Sequence, residues 1–272
     1  MATVRAAAVA GSFYPGDTYA LRAVVREYLD AARETTEPRD PWPKALIVPH
    51  AGYMYSGPVA ASAFIQIEAS RERVSRVVLI GPSHHIWFAG LAVPSSTAFH
   101  TPLGSVDIDE TARQQILRFP FVDVLDDAHH REHSLEVQLP FLQELLGDFA
   151  VLPIAVGRAS PAQVEEVLEA LWGGEETLIV VSSDLSHYFD YDTAKRMDTA
   201  TASAIESLEP QRIHSDDACG RIGMQGLLKA ARRHGLIART LDLRSSGDTA
   251  GGREEVVGYG AWELTAARNG SP

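Results

Sequence analysis

The chain has 272 residues, of which 45% are hydrophobic and 22% charged, the balance of an ordinary globular protein rather than a disordered or fibrous one. A formal charge of −12 argues against the clustered cationic surface that nucleic-acid binding requires, and no apolar run approaches the ~20 residues of a spanning helix, so neither nucleic acid nor a membrane is an expected partner. The single cysteine excludes an intrachain disulfide, and an amino terminus without a long apolar core is no secretory signal, so a cytoplasmic protein is expected.

Phe13-Tyr14-Pro15-Gly16 reads as a turn, after which Asp17 caps a helix whose apolar positions Leu21, Val24, Val25, Tyr28, Leu29 and Ala32 repeat at helical spacing. Three prolines between Glu37 and Pro43 forbid helix or ladder there and deliver the chain into a strand over 45–49. A small-residue helix is predicted from near Gly57, a strand over 76–81, strand and loop over 90–108, and helices over 109–118 and 134–146. A strand over 149–156, a helix over 161–172 and a strand over 177–183 follow. Helices over 193–208 and 216–234 and two closing strands near 236–244 and 254–264 complete the order, with the Gly-rich stretch from Ser245 to Gly252 as a flexible connection. That stretch lacks the lysine of a phosphate loop, and no dinucleotide fingerprint occurs elsewhere. Short Val/Ile/Leu runs alternating with helices predict one α/β domain over residues 1–272, with a mostly parallel central sheet and helices on both faces. The last two strands are expected to pair antiparallel at an edge.

Histidines stand where these strands should end. His50 closes Ala45-Leu46-Ile47-Val48-Pro49, His84 and His85 follow the run from Val77 to Ser83, and His187 follows the run from Leu178 to Asp184. Ligands of open α/β sheets bind at the carboxyl ends of the strands. Imidazoles converging there with the Cys219 thiolate would hold a transition metal. The local sequence does not separate His84 from His85. Asp184, if buried, must accept hydrogen bonds, either fixing the tautomer of an imidazole or capping a helix. Cys219 precedes Gly220-Arg221 at a predicted helix start, where the helix dipole and a guanidinium favour thiolate; the alternative packs it under Met224 and Leu227.

His129, Glu132 and His133 spell H-x-x-E-H, the inverted zinc-peptidase pattern, which requires the whole segment to be helical. Asp126-Asp127 and the absence of an apolar stripe before Leu135 argue instead for a loop entering a helix, in which Glu132, His133 and Glu136 line the rim of the main site or lock its loops. Ser182 or Ser183 with His187 and Asp184 would be the parts of a serine hydrolase, yet no G-x-S-x-G elbow exists and residues so close in sequence seldom reach triad geometry.

Six motifs in order carry a family resemblance: Gly11-Ser12-Phe13-Tyr14-Pro15, Pro49-His50-Ala51-Gly52-Tyr53-Met54-Tyr55-Ser56-Gly57, Gly81-Pro82-Ser83-His84-His85, Glu132-His133-Ser134-Leu135-Glu136, Ser182-Ser183-Asp184-Leu185-Ser186-His187 and Cys219-Gly220-Arg221. On these the chain resembles the Memo family, including the members called protein B of the AmmeMemoRadiSam system. The resemblance spans nearly the whole chain. It implies a fold similar to that of class III extradiol dioxygenases, a metal site of His50, His84 and Cys219, and His187 as catalytic acid or base supported by Asp184. The same resemblance selects His84 over His85. Tyr53, Tyr55, His85, Glu132, His133 and Arg221 are then candidates for positioning substrate.

A cysteine in place of the dioxygenases' carboxylate ligand makes the site softer and more tolerant of copper or zinc than a two-histidine, one-carboxylate iron centre, and it puts a thiolate at risk of oxidation. The expectation is an iron(II)- or copper-dependent oxidoreductase, with zinc also accommodated, taking a small-molecule or peptide ligand and acting with a radical-SAM partner. The alternative is a non-catalytic peptide- or ligand-binding module using the same cleft.

Overall fold

The computed structural model describes residues 3–36 and 42–267, so most of the proline-rich 37–43 segment lies outside the described residues. A short strand, β1 (Val4–Arg5), precedes α1 (Thr18–Thr35), which starts where the Asp17 side chain accepts the backbone N–H groups of Tyr19 and Ala20. Then come β2 (Ala45–Val48), α2 (Tyr53–Phe64), β3 (Arg76–Pro82), β4 (Leu91–Val93), β5 (Ala98–Thr101), β6 (Gly104–Asp107), α3 (Glu110–Ile116), β7 (Val122–Val124) and the single turn α4 (Asp127–His130). The second half runs α5 (Leu139–Leu145), β8 (Ala150–Val156), α6 (Pro161–Leu171), β9 (Thr177–Ser182), β10 (His187–Phe189), α7 (Tyr191–Glu206), α8 (Arg221–Arg233), β11 (Leu236–Ser245) and β12 (Val256–Ala266). Among the described residues no helix is long and apolar enough to cross a membrane.

The main sheet has the order β10-β12-β2-β9-β3-β8-β4-β7, with β11 also on β12; β1, β5 and β6 form a separate small sheet. The centre, β2-β9-β3-β8, is parallel throughout. Its flanks are mixed, because β12 runs antiparallel to β2 and β4 antiparallel to β8. The closing hairpin β11-β12 is antiparallel and attaches to the β2 side of this centre, as expected.

Central strands covered on both faces must be apolar on both, and alternate residues go to opposite layers. Leu46, Val48, Val77, Leu79 and Val180 join the core under α1, α2 and α5, while Ala45, Ile47, Val78, Ile80 and Ile179 join the core under α3, α6, α7 and α8. The chain therefore leaves β2 toward α2 on one face and β9, its neighbour, toward α7 on the other. Adjacent strands whose connections diverge in this way leave a crevice beyond their carboxyl ends, and His50 and Asp184 lie in it.

Several expectations require correction. The helix expected near Gly57 starts at Tyr53; Gly57 is needed within it because a Cβ there would lie 2.4 Å from the Tyr28 ring of α1. The 134–146 helix is a 3-10 turn at Glu136–Gln138 followed by α5. The 216–234 helix starts at Arg221, since Asp217 instead turns the chain by accepting the His214 N–H. The 90–108 stretch divides between the two sheets as β4, β5 and β6. The Gly-rich connection is also more structured than expected: Ser245 and Asp248 form a capping box around a 3-10 turn.

Candidate metal centre

Strand β2 ends at Val48, and His50 is held two residues on. Its backbone N–H donates to Asp184 Oδ1 at 2.7 Å, its Nδ1 lies 2.8 Å from Ser182 Oγ, and its Nε2 lies 3.2 Å from Cys219 Sγ. The Ser182 hydroxyl has one hydrogen, which goes to the Ser134 carbonyl at 2.7 Å, and it also accepts from Gln138 Nε2 at 2.9 Å. His50 Nδ1 must therefore be the donor, which leaves the Nε2 lone pair facing Cys219. Burial, reinforced by His84 and His133, holds His50 well below the ordinary imidazole range.

His84 is built the same way from different parts. Its Nδ1 lies 2.8 Å from Glu132 Oε1 and its backbone N–H 2.6 Å from Glu132 Oε2, so the carboxylate takes the Nδ1 proton and frees Nε2. Glu132 is buried and accepts two more backbone N–H groups, from His133 at 3.0 Å and Ser134 at 2.9 Å. Burial opposes its ionisation, yet the hydrogen bonds from the His84 ring and backbone, with the Ser134 N–H, hold it well below the usual carboxylate range. A carboxylate that orients an imidazole in this manner is the usual outer partner of a metal-binding histidine.

Cys219 comes last, just before α8. One donor atom each from His50, His84 and Cys219 lie within 4.8 Å of one another. The structure corrects the reading of the free thiol: burial, then Asp184, push it up to about 12, so the helix start does not make it a thiolate. Nor does it pack under Met224 and Leu227 as a plain hydrophobe, because Sγ faces His50.

Asp184 plays neither predicted part. It fixes the His50 backbone rather than an imidazole ring, and it caps no helix. Burial raises its carboxyl to about 7 despite hydrogen bonds from the His50 and Ala51 backbone.

His50, His84 and Asp184 line a cleft of about 740 Å³ whose walls include Phe13, Tyr28, Tyr55, Tyr188 and Tyr259, with His133 and His187 beside them, whereas Cys219 lines a second pocket. No lysine or arginine lines the cleft among the described residues. His133 stacks on His84 with ring centroids 4.6 Å apart, and burial pushes it down to about 4. Burial also lowers His187, with a hydrogen bond from its ring to the Leu185 carbonyl offsetting part of the effect.

Three of the positioning candidates are placed differently from the expectation. Tyr53 lines the cleft but is buried and donates its hydroxyl to the Val137 carbonyl at 2.7 Å. His85 is exposed and is absent from both the cleft wall and the donor cluster. Arg221 lines the second pocket with Cys219.

The two alternative chemistries are not assembled. His129 sends Nε2 to the Ala92 carbonyl at 3.1 Å, and the helix ends at His130, before Glu132 and His133. Ser182 is committed to Ser134, and Ser183 donates to the Asp184 carbonyl. Glu136 locks the amino-terminal segment instead of lining the site, binding Arg5, the Tyr14 hydroxyl and the backbone of Ala8 and Val9.

Residues that sequence reasoning passed over as parts of the centre are Ser182 and Gln138, which set the His50 tautomer, and Tyr188 at the cleft wall. Tyr188 has φ 61°, a left-handed conformation costly for a bulky residue, at a bulge where β10 pairs with β12. No local signal marks it.

A family model described as Memo-like protein matches residues 5–263. The chain is 36% identical over 271 residues to a MEMO1 family protein of Aquifex aeolicus (strain VF5), covering 94% of this chain and 97% of that one. It is 33% identical over 279 residues to a MEMO1 family protein of Sulfolobus acidocaldarius, with the same coverage. Among solved structures, the uncharacterized protein JW3007 of Escherichia coli K12 matches with a TM-score of 0.54 at 13% identity, covering 79% of this chain and 98% of that one, a likeness of fold alone.

Proposed function

The chain belongs to the Memo family, and from that premise we propose that it is a metal-dependent oxidoreductase whose iron(II) or copper ion is held by His50, His84 and Cys219. The observation that carries this reading is the fate of two protons. Ser182 and Glu132 hold the Nδ1 protons of His50 and His84, which leaves an Nε2 lone pair on each ring, and a nitrogen of each ring lies within 4.8 Å of the other and of the Cys219 sulfur. That donor set fits a borderline-soft ion, and a bound cation would favour the thiolate of Cys219, which burial and Asp184 oppose in the free protein.

An iron or copper ion bound there would supply electron-transfer and dioxygen chemistry, whereas zinc, which the same donors accept, would supply Lewis acidity. The chain's own residues would do the rest. The aromatic wall takes the apolar part of a small organic substrate and keeps water from it. His187, neutral at pH 7 and on the cleft wall, carries a substrate proton as acid or base. Asp184 fixes the backbone of His50 and so the ring's position. The same reading places the protein in the cytoplasm, acting with a radical-SAM partner.

Elemental analysis of anaerobically purified protein tests the assignment. Near-stoichiometric iron or copper is expected in the wild type and loss of it in His50→Ala and Cys219→Ala; a wild type that neither carries nor takes up metal overturns it. The competing reading, a cleft that binds a peptide or small ligand without chemistry, draws on the exposure of Met54 (60%) and Tyr188 (72%) on its walls. Metal-dependent oxygen uptake across a panel of small aromatic compounds, abolished in His187→Ala, favours the enzyme.

A further inference from the structure

The loop from Ser83 to Ala89 has a different cavity on each side. His84 faces the histidine cleft, while Ile86, Trp87 and Phe88 border a second pocket of about 370 Å³ that also meets Cys219 and Ile222. Two arginines, Arg158 and Arg221, are among the residues that line this pocket. Among the described residues neither has a carboxylate or a hydrogen-bond acceptor for its side chain. Several arginines elsewhere are matched by a carboxylate: Arg5 with Glu136, Arg76 with Asp109, Arg113 with Glu110 and Arg239 with Glu263. In a chain with 36 acidic residues against 24 basic ones, two arginines without an acidic partner on one cavity give that cavity a local excess of positive charge. The remaining wall is largely apolar, and Trp87 is 96% exposed at it. Helix α8 starts at this wall without a side-chain cap, so its amino end adds to a positive field that the guanidiniums already set.

We propose that this pocket binds a small organic carboxylate, with its carboxylate on Arg158 and Arg221 and its apolar body against Trp87 and Phe88. Guanidinium forks match carboxylate geometry, and the apolar walls favour an organic anion over a bare inorganic one. Such a ligand would lie against Cys219 in a pocket separate from the histidine cleft. The proposal does not depend on the metal assignment.

The test is a tryptophan-fluorescence titration of metal-free protein with benzoate at low ionic strength, with inorganic phosphate titrated in parallel. Saturable benzoate binding is expected, its signal lost in Trp87→Phe, and phosphate is expected to bind more weakly. The double variant Arg158→Gln, Arg221→Gln, with an unchanged melting temperature, should raise the benzoate Kd about tenfold or more. Arg158→Gln alone, at an exposed position, gives a smaller rise in the same direction and keeps the test open if the double variant does not fold. Absence of saturable binding, an unchanged Kd in these folded variants, or phosphate binding as tightly as benzoate would each overturn the proposal. Because no metal is present, none of these outcomes bears on the metal content of the histidine cleft.

Discussion

Replacing Glu132 by glutamine probes how the His84 side of the centre is built. Oε1 accepts from His84 Nδ1 at 2.8 Å, His133 N at 3.0 Å and Ser134 N at 2.9 Å, and Oε2 accepts from His84 N at 2.6 Å. A carboxylate is acceptor-only and suits four donors, whereas an amide brings N–H donors of its own. Placed at Oε1, the NH2 group opposes three donors; placed at Oε2 it opposes one, so the second orientation wins. It loses a charge-assisted bond worth about 1.5–3 kcal/mol and leaves a buried donor unmet at about 1–3 kcal/mol. The negative charge that keeps the His84 proton on Nδ1 also disappears, so Nε2 is less available to a metal. Glu132→Gln is therefore expected to destabilise metal-free protein by about 3–5 kcal/mol and to weaken metal binding about 10–100-fold. Urea unfolding measures the first effect, and zinc competition against a chromophoric chelator the second. An unchanged zinc affinity in a variant destabilised as expected would refute the role of Glu132 in presenting His84. Unchanged stability would refute the count of buried donors itself.

Burial raises the Asp198 carboxyl to about 6, against hydrogen bonding from Ser186. Its folded value lies above the unfolded value of about 3.9, so its contribution to stability is complete below about pH 4 and is lost as pH rises to about 6, a difference of about 3 kcal/mol. Asp198→Asn, which mimics the neutral acid, should flatten urea midpoints measured across that range; a slope identical to wild type would contradict the assignment. Gly258→Ala would put a Cβ 2.0 Å from Asp198 Oδ2 in a segment whose backbone bonds Leu185 and Ser186. A loss of about 1–3 kcal/mol is expected from overpacking, and an unchanged melting temperature would show that the Asp198 side chain gives way freely. Arg5 is buried, donates to the His129 and Glu132 carbonyls at 2.9 and 2.6 Å and pairs with Glu136. Arg5→Met removes the charged partner of that buried carboxylate and should cost about 3–5 kcal/mol in denaturant unfolding; a loss below about 1 kcal/mol would mean that the Tyr14, Ala8 and Val9 donors suffice for Glu136.

The parallel centre of the sheet was legible because strands covered on both faces leave near-continuous apolar runs. The stretches 45–49, 76–81, 149–156 and 177–183 each fall within a residue of β2, β3, β8 and β9. The histidines at their ends were legible for the same reason: a polar side chain that stops such a run marks the place where the strand meets solvent or a ligand. Short strands were not. Val4 and Arg5 become β1 only because Ala98 and Phe99 pair with them, and nothing local to two residues announces a partner more than ninety positions away. The proton arrangement at the centre was hidden by distance too, since Ser182 serves His50 and Glu132 serves His84 across separations of 132 and 48 residues.

Cys219 shows how a local rule fails by magnitude. A helix start favours a nearby anion by about 0.3–1 kcal/mol when exposed and up to ~2 kcal/mol when partly buried. Taking an anion out of water costs several kcal/mol, and here the Asp184 carboxyl opposes the thiolate as well. The first effect can be read from sequence because it depends on neighbours at fixed offsets. The second depends on the packing of Cys219 against His50, Ser183 and Asp184, which only the fold supplies. The larger effect sets the sign, so a cysteine at a helix start gives the charge of its sulfur only once its burial is known.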